Sequence, residues 1–136
     1  MSVTIPDAEP DGVTVAIRGA QAIVIAAIAN TFLLSAVLLA GVVEPFEPLE
    51  YTSVVVLTAL GVLGATIVYW LLVQWKPNPD QYFVWIAVIL LLVSFIPAIG
   101  LLLRDPAATI PGVAVLMAMH TIAAAVSIGL LTELGR

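Results

Sequence analysis

The chain is expected to be all-α, an integral membrane bundle of four antiparallel helices running up and down. Three observations predict it. Of 136 residues, 62% are hydrophobic and only 10% charged, where soluble domains carry roughly 45–50% and about 25%. The mean hydropathy is +1.20. That excess sits in four long apolar stretches, and a helix of about 20 apolar residues crosses ~30 Å of hydrocarbon.

Residues 1–15, MSVTIPDAEPDGVTV, hold Asp7, Glu9 and Asp11 and are expected to form a mobile acidic tail. A secretory signal needs a basic region ahead of its apolar core. This start is acidic, so the first apolar stretch is expected to stay as a helix. It spans about 16–43 and ends at EPFEPLE, where Pro45 and Pro48 cannot continue a helical ladder. Helix 2 is expected over about 51–75, stopping at KPNP. Asp80 is placed to N-cap helix 3, about 81–103, which stops at RDP. Thr109 can cap helix 4, about 111–134, with Pro111 in its first turn. The loops are short, so sequential helices should be antiparallel neighbours in one transmembrane domain over 16–136.

Charge narrows the partners. The net charge is −5 and Lys76 is the sole lysine. Nucleic acids and anionic lipid surfaces are held by Lys and Arg, so neither is an expected partner. An acidic, lysine-poor surface suits a high-salt, halophilic habitat. There is no Cys, hence no disulfide, thiolate metal site or dithiol redox chemistry. Four spans put both termini on one side. Arg18, Lys76 and Arg136 fall there against Arg104 alone, which by the positive-inside rule makes that side cytoplasmic and the location the cell membrane. Tyr69, Trp70, Trp75, Tyr82, Phe83 and Trp85 flank KPNP and are expected to form an aromatic belt at that interface.

Polar residues deep in a bilayer are costly unless partnered, so they mark where function could sit. At 1.5 Å per residue, Asn30 and Ser94 lie about 18 Å in from the cytoplasmic ends, His120 about 20 Å and Gly61 about 21 Å. Asn30, Ser94 and His120 therefore form a candidate midplane polar layer. His120 is expected to bond Asn30 or Ser94 across the bundle, either as glue between helices or as a proton-accepting or ligand-binding group. No acid or base shares that depth, which argues against a proton pump. Gly61, with Thr58 and Ala65, makes a small-residue face on which helices can approach closely.

Other features are weaker. Glu44, Glu47 and Glu50 read as a solvated acidic loop, with Arg104 and Asp105 near enough to pair with it. Too few oxygens converge for a metal site. Pro97 in helix 3 frees a carbonyl one turn back and, with Gly100, is a candidate hinge. One His gives no bis-histidine haem site, and no nucleophile–base set or phosphate-binding Gly loop occurs. No cofactor and no enzymatic activity are expected.

At PDQYFVWIAVILLLVSFIP and LMAMHTIAAAV the chain resembles a family of small four-helix microbial membrane proteins catalogued as a domain of unknown function. The shared elements are Pro79 and Phe83 opening helix 3, Ser94 and Pro97 within it, and Met119–His120 of helix 4, across about residues 16–134. The resemblance implies a four-helix membrane domain and brings no activity with it. The expected role is non-enzymatic: a scaffold, an accessory subunit or a small-ligand-binding membrane module, partnered by the lipid bilayer and by a second copy or another membrane subunit. The alternative is a transporter or channel component using the layer around His120 and Asn30.

Overall fold

A computed structural model describes residues 10–44 and 46–132. It contains α1 (Gly12–Leu39), a short 3-10 turn (Glu47–Leu49), α2 (Tyr51–Trp75), α3 (Pro79–Arg104) and α4 (Ile110–Leu131). All four α-helices are long and apolar enough to cross a membrane, with hydropathies of 2.0 to 2.9. The chain is a multi-pass helical bundle. Asp7, Glu9, Pro45, Arg136 and the expected end of helix 4 near residue 134 lie outside the described residues.

Local chemistry sets the helix ends, and at three of them it differs from the expectation. α1 starts at Gly12 rather than near 16, because Asp11 accepts the Thr14 N–H at 2.7 Å. That is an N-cap, and it makes residues 12–15 helical instead of tail. The Thr14 hydroxyl and then the Thr14 N–H hold the Asp11 carboxyl below its usual range.

α1 then stops at Leu39, ahead of the prolines. Gly41 adopts a φ of +71°, and Val42 N–H bonds Val37 O while Gly41 N–H bonds Leu38 O. This paired arrangement is a Schellman stop, which needs a residue tolerant of the left-handed region.

α3 starts at Pro79, and Asp80 is not its cap. Asn78 holds the cap position without a side-chain bond, and Asp80, inside the first turn, accepts from the Tyr69 hydroxyl at 2.6 Å. Thr109 does cap α4, taking the Gly112 N–H at 3.1 Å with Pro111 in the first turn.

Three stacked clusters fix the up-and-down topology. Val15, Tyr69, Phe83 and Leu131 join the start of α1 to the end of α2, the start of α3 and the end of α4. Ala22, Ala26 and Val62 pack in the middle. Leu34, Phe46, Leu49, Val54 and Leu116 close the opposite end. Between helices in lipid the hydrophobic effect gives little drive, so close van der Waals fit has to hold them. Among the described glycines, Gly19 marks the closest approach, between α1 and α2, where a Cβ would stand 2.4 Å from Thr66 Cγ2. Gly19, Ala22, Ala26 and Asn30 form one continuous buried face of α1. α3 is the least embedded helix: Phe83 and Ala98 are its only buried residues, and it packs more on α4 than on α2.

Candidate functional site

Because α2 and α3 touch only lightly, the bundle is not closed between them. A cavity of about 450 Å³ occupies the gap, within the roughly 300–1,000 Å³ of small-molecule sites. α2 and α3 form its walls, α4 its floor, and Asn30 reaches it from α1. Its mouth opens to the side of the bundle, between exposed apolar residues. Leu57 and Leu60 of α2 and Leu90 of α3 border the cavity and are 60%, 58% and 56% exposed. Gly61 and Gly64 border it as well, and a Cβ on either would meet nothing within 4 Å. Gly61 is thus no close-packing residue, contrary to the expectation from its small-residue face. That part is played by Gly19, which meets Thr66.

Asn30, Ser94 and His120 all border this cavity, but none is hydrogen-bonded to another. His120 Nδ1 bonds Leu116 O, one turn back on its own helix, at 2.6 Å. Ser94 Oγ donates to Leu91 O at 2.6 Å, also within its own helix. Both side chains find the nearest carbonyl along the helix before they can reach across the gap. Asn30 is the one that crosses. Its Nδ2 donates to Thr58 Oγ1 at 3.0 Å on α2 and to Met119 O at 3.4 Å on α4. Asn30 is 1% exposed, and its Oδ1 is buried without a hydrogen-bond partner. The Met119 carbonyl can only accept, so the amide nitrogen must face it, and the orphaned atom is the oxygen.

Electrostatically the cavity is neutral: among the described residues no Asp, Glu, Lys or Arg borders it. Asn30, Thr58, Ser94, His120 and Ser127 are its polar groups in an otherwise apolar lining. Thr58 and Ser127 were not expected as site residues. Thr58 carries a legible signal, since it is the α2 residue one turn before Gly61, and Ser127 shares the α4 stripe of His120.

The other candidates separate. Of the six belt aromatics, Trp75 and Trp85, each 70% exposed, and Tyr82 point outward. Tyr69 and Phe83 do not: they are buried, with ring centroids 5.3 Å apart edge to face. Trp70 is half-buried, its ring 3.4 Å from where a Gly12 Cβ would stand. Tyr69 turns inward because its hydroxyl finds Asp80, which lets a phenol fill the core without stranding its polar end.

α3 runs unbroken through Pro97. Arg104 does not pair with the acidic loop: its Nε donates to Gly100 O at 3.4 Å, and Asp105 accepts the Ala107 N–H at 2.9 Å. Among the described residues no three acidic, His or Cys side chains gather closely enough to hold a metal ion.

No curated protein and no solved structure matches the chain. A family profile described as "Family of unknown function (DUF6069)" matches residues 10–136. That match covers nearly the whole sequence, and the chain belongs to that family.

Proposed function

We propose that the protein is a non-enzymatic membrane module that holds a small lipid-soluble molecule between α2 and α3. One observation carries this: the 450 Å³ gap at mid-membrane depth, open on its lipid side and lined at its mouth by glycines whose missing side chains would point into empty space. A bundle selected only for helix adhesion would fill such positions, since unfilled space forfeits dispersion contacts. The module sits in the cell membrane with both termini cytoplasmic, as the distribution of Arg18 and Lys76 against Arg104 favours. A transport role would call for a polar path along the bundle axis, whereas this cavity is apolar and opens sideways.

Native mass spectrometry of the detergent-released full chain with added farnesyl methyl ether tests the reading. A one-to-one adduct is expected for the wild type and is lost in Gly61→Leu, whose side chain enters the cavity. Equal adducts in both proteins would overturn it.

A second reading rests on α3. Its outward residues Ile89, Leu92 and Ile96 are 55%, 59% and 69% exposed, a face suited to lipid or to a neighbouring subunit. Crosslinking through a cysteine placed at Leu92 would reveal a copy or partner seated there.

A further inference from the structure

The polar groups of the cavity are not interchangeable, and their donor and acceptor states follow from the bonds they already make. His120 Nδ1 faces the Leu116 carbonyl, which only accepts, so the proton of the neutral ring is on Nδ1. Nε2 is then left as an acceptor. The Ser94 hydroxyl spends its proton on Leu91 O and retains only lone pairs. Asn30 spends Nδ2 on Thr58 and Met119, and its buried Oδ1 has no partner. Three polar groups of one apolar cavity, from α1, α3 and α4, thus share the same deficit: each lacks a donor. Of the three, the Asn30 oxygen is buried, and an unpaired buried acceptor costs about 1–3 kcal/mol. Ser94 is half-buried and His120 exposed, so they present acceptors without that penalty, and a donor brought to the layer is favoured chiefly by Asn30. Among the described residues no charged side chain borders the cavity, so none of them neutralises a phosphate, carboxylate or ammonium in low dielectric.

We infer that the cavity selects an uncharged, lipid-soluble alcohol, whose hydroxyl donates to the acceptors presented by His120, Ser94 and Asn30 while its hydrocarbon fills the gap between α2 and α3. This rests on the ligand-holding reading above and narrows it to one chemical class. Thr58 Oγ1 already accepts from Asn30 and keeps its own proton to give, and the Ser127 hydroxyl can act either way; the three acceptors outnumber them, so the preference keeps its sign.

Farnesol and farnesyl methyl ether form a matched pair of probes, equal in hydrocarbon and differing in the one donor. Hydrogen bonds between polar groups in membranes contribute about 0.6 to 2 kcal/mol, which converts to a preference of about 3- to 30-fold for the alcohol. Competition between the two probes, followed by native mass spectrometry, reads that ratio directly. In His120→Leu the ratio of alcohol to ether binding is expected to fall toward one whatever the change in overall affinity, a change in selectivity that a merely structural histidine would not produce. Ser94→Ala serves the same purpose if His120→Leu fails to fold. Equal binding of both probes to the wild type would overturn the alcohol preference and leave the ligand-holding reading standing. Tighter binding of farnesyl phosphate than of farnesol would likewise overturn it. Binding of none of the three would overturn both.

Discussion

Gly19 and Gly61 are both helical glycines in the membrane, yet replacing each with Ala is expected to change stability in opposite directions. Ala is favoured over Gly in a helix by about 0.8–1 kcal/mol, and that gain is common to both. At Gly61 the new methyl meets nothing within 4 Å, so Gly61→Ala should stabilise by about that amount. At Gly19 it would stand 2.4 Å from Thr66 Cγ2 and 2.6 Å from Thr66 Oγ1. Thr66 cannot swing aside freely, because it is β-branched and its hydroxyl is bonded to Val62 O at 2.8 Å. The helices must part, and overpacking of this kind costs about 1–3 kcal/mol. Since the propensity gain cancels, the gap between the two variants isolates the packing cost. Reversible unfolding of each variant in mixed micelles by added SDS measures it. Thr66→Ala should narrow the gap by removing the two closest atoms. Equal shifts of the same sign in both single variants would refute the assignment of Gly19 to the tight crossing and Gly61 to the open gap.

Further outcomes follow from named bonds. Asn30→Leu loses two hydrogen bonds at about 0.6 kcal/mol each and relieves an orphaned acceptor worth about 1–3 kcal/mol. The empty protein should therefore be unchanged or up to about 2 kcal/mol more stable in the same titration, and a loss above about 2 kcal/mol would show that Oδ1 has a partner. Tyr69→Phe removes the donor to Asp80 and should cost about 1.5 kcal/mol, the lower end for a bond to a charged group because Asp80 is part-exposed. Asp11 titrates below its usual value when folded. Its support of the α1 start is thus complete above about pH 3.9 and disappears as pH falls through the lower folded value. The Thr14 amide resonance should move only in that acid range, and Asp11→Asn, which keeps a capping oxygen, should abolish the movement.

Much of the fold is written in local signals. The span lengths, the Thr109 cap and the alternation of helices follow from runs of apolar residues and their punctuation. Gly41 was equally legible, a glycine just past an apolar run, but the neighbouring prolines are the louder signal and draw the expected helix end too far. Tyr69 and Phe83 show a different difficulty. Depth along a helix can be counted from sequence, whereas direction around it depends on which neighbour offers a partner, and Asp80 offers one. The midplane layer divides in the same way. Counting residues puts Asn30, Ser94 and His120 at one depth, but it cannot say that His120 and Ser94 bond their own helices while Asn30 reaches Thr58 and Met119. The cavity itself lies furthest from sequence, because it depends on how lightly α2 meets α3. No single residue encodes that separation.

The absence of cysteine makes one direct measurement simple. A nitroxide attached at Gly61→Cys, in lipid nanodiscs, can be tested for collision with oxygen, which concentrates in hydrocarbon, and with a water-soluble nickel chelate. A cavity open to lipid predicts high oxygen and low nickel accessibility at that site, with mobility reduced when farnesol is added. Strong nickel accessibility would reveal a water-filled path instead. Oxygen accessibility as low as at a label on buried Ala22→Cys would show a closed bundle, and either result would contradict a lateral ligand cavity.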